Sequence, residues 1–295
     1  MAEVTVFDRV QVRRRRDRAA ATVTEHGFLF EEVGSRLLDR LDDMTRRFPL
    51  ALDLGCRAGA FGRRLLAHGR VDRLVSCDLS LPMAAMASSP AVVADEETLP
   101  FAAQSFDLVV SNLNLHWVND LPGALVQINH ALKPDGLLLA AMFGGETLTE
   151  LRRCLLEAES TEEGGASPRV SPFADVRDAG SLLQRAGFAL PVVDIDSITV
   201  TYSDPMRLLM DLRGMGETNA TMARRRSFLR RRTLAKAMEL YRDRHAGPDG
   251  RVSASFQVLT MTAWRPHESQ SKPLARGSGK ASLADFLRQE PKPQP

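Results

Sequence analysis

The stretch LALDLGCRAGAFG, residues 50–62, decides how this chain folds. An apolar run ends in Asp53, turns through Gly55 and Gly59, and opens an Arg/Leu-rich helical pattern. Strand, glycine turn and helix in that order bring backbone close to a nucleotide-like ligand in α/β domains. Arg57 stands where the turn calls for glycine.

Outward from this stretch, strand-like and helix-like patterns alternate to about residue 143, as parallel α/β units do. LALDL (50–54), RLVSCDLS (73–80), AVVAD (91–95), SFDLVVSNL (105–113) and LLLAAMF (137–143) read as strands. They are continuously apolar, which suits strands covered by helices on both faces. FGRRLLAHG (61–69), PMAAMASS (82–89) and DLPGALVQINHAL (120–132) read as the helices between them, with a KPDG turn at 133–136. Further on, 146–161 and 175–188 read as helices, and 191–202 and 253–264 as the last strands. The basic stretch 222–244 reads as a helix, part of a cap inserted at about 204–245. Residues 1–48 form a helical N-terminal segment, in which Phe28, Val33, Leu37, Leu38 and Leu41 recur at helical spacing. Its run RRRRDRAA (13–20) reads as a solvated helix face. The segment from 266 to 295 is polar and expected to be mobile, with a short helix over 281–289.

The architecture implied is a Rossmann-like α/β domain over residues 49–265, with a seven-stranded, mostly parallel sheet whose last strand is antiparallel. At 295 residues, with 44% hydrophobic and 26% charged content, the chain can bury one good-sized core. A net charge of +2 supplies no long-range field for nucleic acid or a membrane surface. No apolar run approaches the roughly 18–20 residues that span a bilayer. Cys56, Cys77 and Cys154 lack metal-ligand spacing and cannot all pair, which points to a reducing compartment. Glu3 and Asp8 come early and no apolar segment follows them, so the cytoplasm is expected, with peripheral association at the inner membrane left open.

Four features fall at strand ends, where doubly wound sheets bind ligands. They are Asp53 with Gly55 and Gly59; Asp78 with Leu79, nineteen residues after Gly59; Asp95 and Glu96; and Ser111 and Asn112. Asp78 is placed to accept both hydroxyls of a ribose, and Asp95, ahead of Glu96, to accept from an adenine amino group. A dinucleotide needs G-x-G-x-x-G, but this frame reads R57-A-G59-A-F-G62. Asp53 would repel a pyrophosphate and suits an ammonium group. S-adenosylmethionine is therefore the expected cofactor. Arg57 either grips the methionine carboxylate or obstructs the ligand. His116 and Trp117 are candidates for the substrate mouth. The six histidines are scattered, with no two-His-one-carboxylate pattern for a metal.

The motifs VFDR, LDLGC, ADEETLPF, FDLVVSNLNLHWVNDLP, LKPDG, AMFGGETL, LLQRAGF, DLRGMGETN and FQVLTMTAW resemble the complex I assembly factor 5 family, within the class I S-adenosylmethionine-dependent methyltransferases. The resemblance runs from about residue 6 to 275. It implies an arginine hydroxylase acting on an iron–sulfur subunit of complex I during assembly. Glu217 then becomes a candidate to pair with the substrate arginine. Two other readings stand beside it. One is methyl transfer to a small molecule or carrier-bound carboxylate, as in the biotin-pathway enzymes that share LDLGC and LKPDG. The other is a non-enzymatic assembly module whose site is degenerate at Arg57.

Overall fold

The computed structural model describes residues 5–173 and 176–270. Seven strands form one sheet: β1 (Phe48–Leu54), β2 (Val71–Asp78), β3 (Ala91–Val93), β4 (Phe106–Asn112), β5 (Leu132–Phe143), β6 (Ala189–Tyr202) and β7 (Val252–Trp264). Their order is β3-β2-β1-β4-β5-β7-β6. β1 to β5 pair in parallel, and β7 runs antiparallel to both β5 and β6. The winding reverses between β1 and β4, which opens a crevice beyond the carboxyl ends of those two strands. This is the expected Rossmann-like sheet.

The helices are α1 (Arg9–Ala19), α2 (Val23–His26), α3 (Phe28–Asp42), α4 (Ala60–Ala67), α5 (Leu81–Ala84), α6 (Leu121–Ala131), α7 (Thr149–Glu163), α8 (Val176–Arg185), α9 (Pro205–Gly214) and α10 (Arg231–His245). The two-residue period of a strand sorts its side chains between two helical layers. Ala51, Leu108, Val110, Leu137 and Leu139 pack with α3, α4, α7, α9 and α10. Leu52, Leu54, Val109, Leu138 and Ala140 pack with α6 and α8 on the other face. Leu37, Leu65 and Leu125 are fully buried, and each contributes about 1.5–3 kcal/mol by leaving water. Asp53 shares its parity with Ala51, so its carboxylate is carried under the α3–α4 layer. Gly62 leaves it room, since a Cβ there would lie 3.0 Å from Asp53 Oδ2 and 2.7 Å from the Leu74 side chain.

Several local elements are shorter than the pattern suggests. The helix read at 82–89 is one turn, α5, capped when Met83 N–H donates to Ser80 Oγ and ending before Pro90. β3 stops at Val93, and Asp95 enters a turn in which its carboxylate accepts from the Glu97 N–H. The KPDG turn is absorbed into a bulged start of β5, with Asp135 at φ 63°. The basic stretch 222–244 becomes helical only from Arg231, because Arg224 and Arg225 are tied to Asp8, Glu159 and Glu163 before it. α10 then buries Thr233, Ala237, Met238 and Tyr241 at helical spacing. The short helix read over 281–289 lies outside the described residues.

Candidate functional site

After Leu54 the chain leaves β1 through a turn with three left-handed residues, Gly55 (φ 79°), Arg57 (φ 50°) and Gly59 (φ 69°), and enters α4. Only glycine fits at position 55, because a Cβ there would sit 2.1 Å from the Asn114 amide carbon. Arg57 pays about 1–2 kcal/mol for its left-handed backbone. Its N–H donates to Asp78 Oδ2 at 2.9 Å, which ties the turn to the end of β2.

The Arg57 side chain is buried. Its guanidinium stacks 3.9 Å over the Phe30 ring, and Nη2 donates to Leu113 O and to Glu217 Oε1, both at 2.6 Å. Nε and Nη1 have no partner. Glu217 comes from the loop after α9 and also accepts from His116 Nε2 at 3.0 Å and Trp117 Nε1 at 2.9 Å. Burial pushes the Glu217 carboxyl up, but the Arg57 charge and the His116 bond outweigh it and hold the pKa at about 2. His116 Nδ1 faces the Phe143 N–H at 3.5 Å, and burial holds the ring below its ordinary pKa. The imidazole is therefore neutral with its proton on Nε2. His116, Trp117 and Glu217 thus form one buried cluster, closed by Arg57.

A second buried cluster lies beside it, over the ends of β2 and β4. Glu96 accepts from Arg16 Nη1 at 2.9 Å and from Asn114 Nδ2 at 2.9 Å, and Arg9 pairs with it as well. Burial raises the Glu96 carboxyl, but Arg16 and Arg9 overcome this and hold it at about 2. Asp78 Oδ1 accepts from the Ser80 N–H at 2.8 Å and faces Arg16 Nη1 at 3.4 Å. Asp95 turns outward to Arg9, while Leu79 packs beside Phe7, Val12 and Trp117.

Asp53 is different. It is 1% exposed, yet neither oxygen has a hydrogen-bond partner. Burial, then the neighbouring Asp78 charge, raise its pKa to about 7. It lines a cavity of about 150 Å³ with Val23, Phe30, Arg57, Arg63 and Asn112. Asn112 donates to Phe30 O at 2.8 Å and leaves Oδ1 unpartnered. Burial pushes the Cys56 thiol far up, so it is an inert wall of the site. Among the described residues, no group of three His, Cys, Asp or Glu is disposed to hold a metal ion.

Arg9, Arg16, Phe30 and Asn114 were not visible as site residues in the sequence. Arg13, Arg14 and Arg18 are exposed, as a solvated face requires, but Arg16 is 1% exposed. The signal was present in the spacing: Val12, Arg16 and Ala19 share the buried face of α1.

Residues 52–140 match the model of a methyltransferase domain. The chain is 46% identical over 292 residues to the mitochondrial arginine-hydroxylase NDUFAF5 of Danio rerio, covering 97% of this chain and 90% of that one. It is 35% identical to the malonyl-[acyl-carrier protein] O-methyltransferase of Methylovorus sp., over 92% of this chain and 94% of that one. Among solved structures it resembles the Haemonchus contortus phosphoethanolamine N-methyltransferase 2 in complex with S-adenosyl-L-methionine. There the TM-score is 0.53 at 18% identity, over 87% of this chain and 60% of that one. That likeness concerns the fold, which is the one that holds S-adenosylmethionine in such enzymes. The chain belongs to the arginine-hydroxylase NDUFAF5 family.

Proposed function

We propose that this enzyme binds S-adenosylmethionine beyond the carboxyl ends of β1, β2 and β4 and acts on an arginine of an iron–sulfur subunit of complex I, by hydroxylation. Dioxygen supplies the inserted oxygen atom, and an external two-electron reductant takes the other oxygen to water. The observation that carries the reading is the 46% identity to an arginine-hydroxylase over 97% of the chain. The unpartnered, buried Asp53 supports the cofactor. A buried carboxylate without donors is costly unless something cationic reaches it, and the ammonium group of the methionine end has that chemistry. The free Nε and Nη1 of Arg57 suit the carboxylate of the same end. Asp78 and Glu96, with Asp95 at the rim, have the acceptor chemistry for ribose hydroxyls and an adenine amino group. Bound there, the cofactor would supply a sulfonium methyl group, which serves methyl transfer and is not the oxidant of a hydroxylation. Glu217 is already neutralised by Arg57, so its part is to hold His116 and Trp117 in place beside the cap.

No helix among the described residues is long and apolar enough to cross a membrane. The compartment proposed is the cytoplasm, against the membrane in which complex I is assembled; the Danio rerio relative is named mitochondrial. Mass spectrometry of the subunit, from cells with and without this chain, tests the reaction. One oxygen mass on a single arginine, lost on deletion and restored on re-expression, is the expected result; an unchanged arginine overturns it.

The similarity to malonyl-[acyl-carrier protein] O-methyltransferases favours a second reading, methyl transfer to a carboxylate. It requires only that the acceptor oxygen be held in line with the sulfonium methyl. Isotopically labelled methyl appearing on a carrier-bound acid would establish it.

A further inference from the structure

We propose that α1 is a strap that occupies the adenosyl half of the site and must swing away before an adenosyl ligand can bind. The proposal rests on the adenosyl reading above and concerns how that site is regulated.

Arg16 lies where the nucleoside end should go. Its guanidinium donates to Glu96, to Asp78 and to Asn114 Oδ1. Asp78 Oδ1 already accepts from the Ser80 N–H and faces Arg16, and Oδ2 accepts from the Arg57 N–H, so about one acceptor site remains where a ribose would present two hydroxyls. Asn114 closes the remaining space, since its amide packs directly on Gly55. The cavity left is about 150 Å³ and lies at the Asp53 end. Pockets that enclose whole ligands begin at about 300 Å³. The amino-acid half of the site is open in this arrangement, and the nucleoside half is filled by the chain itself.

The attachment of α1 is of a kind that can be released. Its buried apolar side chains are only Val12 and Ala19, so little apolar area holds it down. Polar pairs hold the rest: Arg9 with Asp95 and Glu96, Arg15 with Thr218, Arg16 with Glu96, and Asp17 with Ser80. Segments held this way open below the global unfolding free energy. α1 also touches the cap. A Cβ at Gly216 would meet Arg15 O at 3.5 Å, and Phe7 pairs with Thr221 across an antiparallel bridge. Lifting α1 therefore loosens the Glu217 loop, coupling cofactor entry to opening of the substrate side. The apparent affinity is the intrinsic one multiplied by the fraction of molecules in which α1 is away.

Ser80 Oγ donates to Asp17 Oδ1 at 2.6 Å, so these two positions are in side-chain contact. The full-length Asp17→Cys/Ser80→Cys variant can be locked by oxidation and freed by reductant; the native Cys56, Cys77 and Cys154 are buried. Calorimetry with S-adenosylhomocysteine should show binding to the reduced form, at least tenfold weaker binding to the oxidised form, and recovery on reduction. Equal binding by both forms overturns the strap and leaves the adenosyl reading standing. No binding by the reduced variant or the unmodified chain overturns the adenosyl reading, and the strap with it. Hydrogen exchange on the unmodified chain gives an independent readout. Amides of residues 9–19 should exchange faster when S-adenosylhomocysteine is added, and slower exchange contradicts the proposal.

Discussion

Replacing Asp53 by asparagine should stabilise the protein at pH 8 while weakening its hold on a cationic ligand. The carboxylate is 1% exposed, at the wall of the cavity, and neither oxygen accepts a hydrogen bond. Burial, then Asp78, lift its pKa from an ordinary 3.8 to about 7. Because the folded-state value lies above the unfolded one, Asp53 subtracts stability progressively as the pH rises from about 4 to about 7. Above that the loss is constant. At about 1.4 kcal/mol per tenfold change in proton affinity, the full loss is about 4 kcal/mol, of which about 1–2 kcal/mol is already present at pH 5. Asp53→Asn removes the titration and nearly keeps the shape. Denaturant unfolding of both proteins at pH 5 and pH 8 should therefore show the variant gaining about 2–3 kcal/mol more at pH 8 than at pH 5. A gain of equal size at both pH values would refute the electrostatic reasoning. So would a variant less stable than the parent at pH 8, which would mean that Asp53 has a stabilising partner in solution.

Glu217→Gln leaves the Arg57 guanidinium buried without its counter-charge, and unfolding at pH 7 should show a loss of about 3–5 kcal/mol. Arg57→Gly relaxes the left-handed backbone, a gain of about 1–2 kcal/mol, but strands the Glu217 carboxylate beside a neutral His116. The net effect in the same assay should be a loss of about 1–3 kcal/mol, and a more stable protein would show that the ion pair contributes little.

The sheet was legible because parallel strands covered on both faces have to be continuous apolar runs, and LALDL, FDLVVSN and LLLAAMF are such runs. The placing of Asp53 and Asp78 at strand ends followed from the same runs. Which carboxylate after β3 turns inward could not be read from the pattern. The chain abandons strand geometry after Val93, and the turn at Asp95 sends Glu96 to the interior. Arg57 could be identified as exceptional, but not where its side chain goes. That depends on Phe30 and Glu217, which lie 27 residues before it and 160 after it. Arg16 was hidden among neighbours of identical chemistry: one arginine of the run 13–16 faces the acidic cluster while Arg13 and Arg14 face water. Composition averages over such a run, and only the helical phase set by Val12 and Ala19 separates its members.

Equilibrium binding of S-adenosylhomocysteine, compared between the unmodified chain and Asp78→Asn, tests the central claim most directly. Asp78 is the acceptor that a ribose would need and lies at the end of β2, where the fold delivers a ligand. The account predicts saturable one-to-one binding by the unmodified chain, and at least tenfold weaker binding by an Asp78→Asn protein that retains its folded circular dichroism spectrum. Absence of binding by the unmodified chain, or equal affinity in the variant, would contradict it.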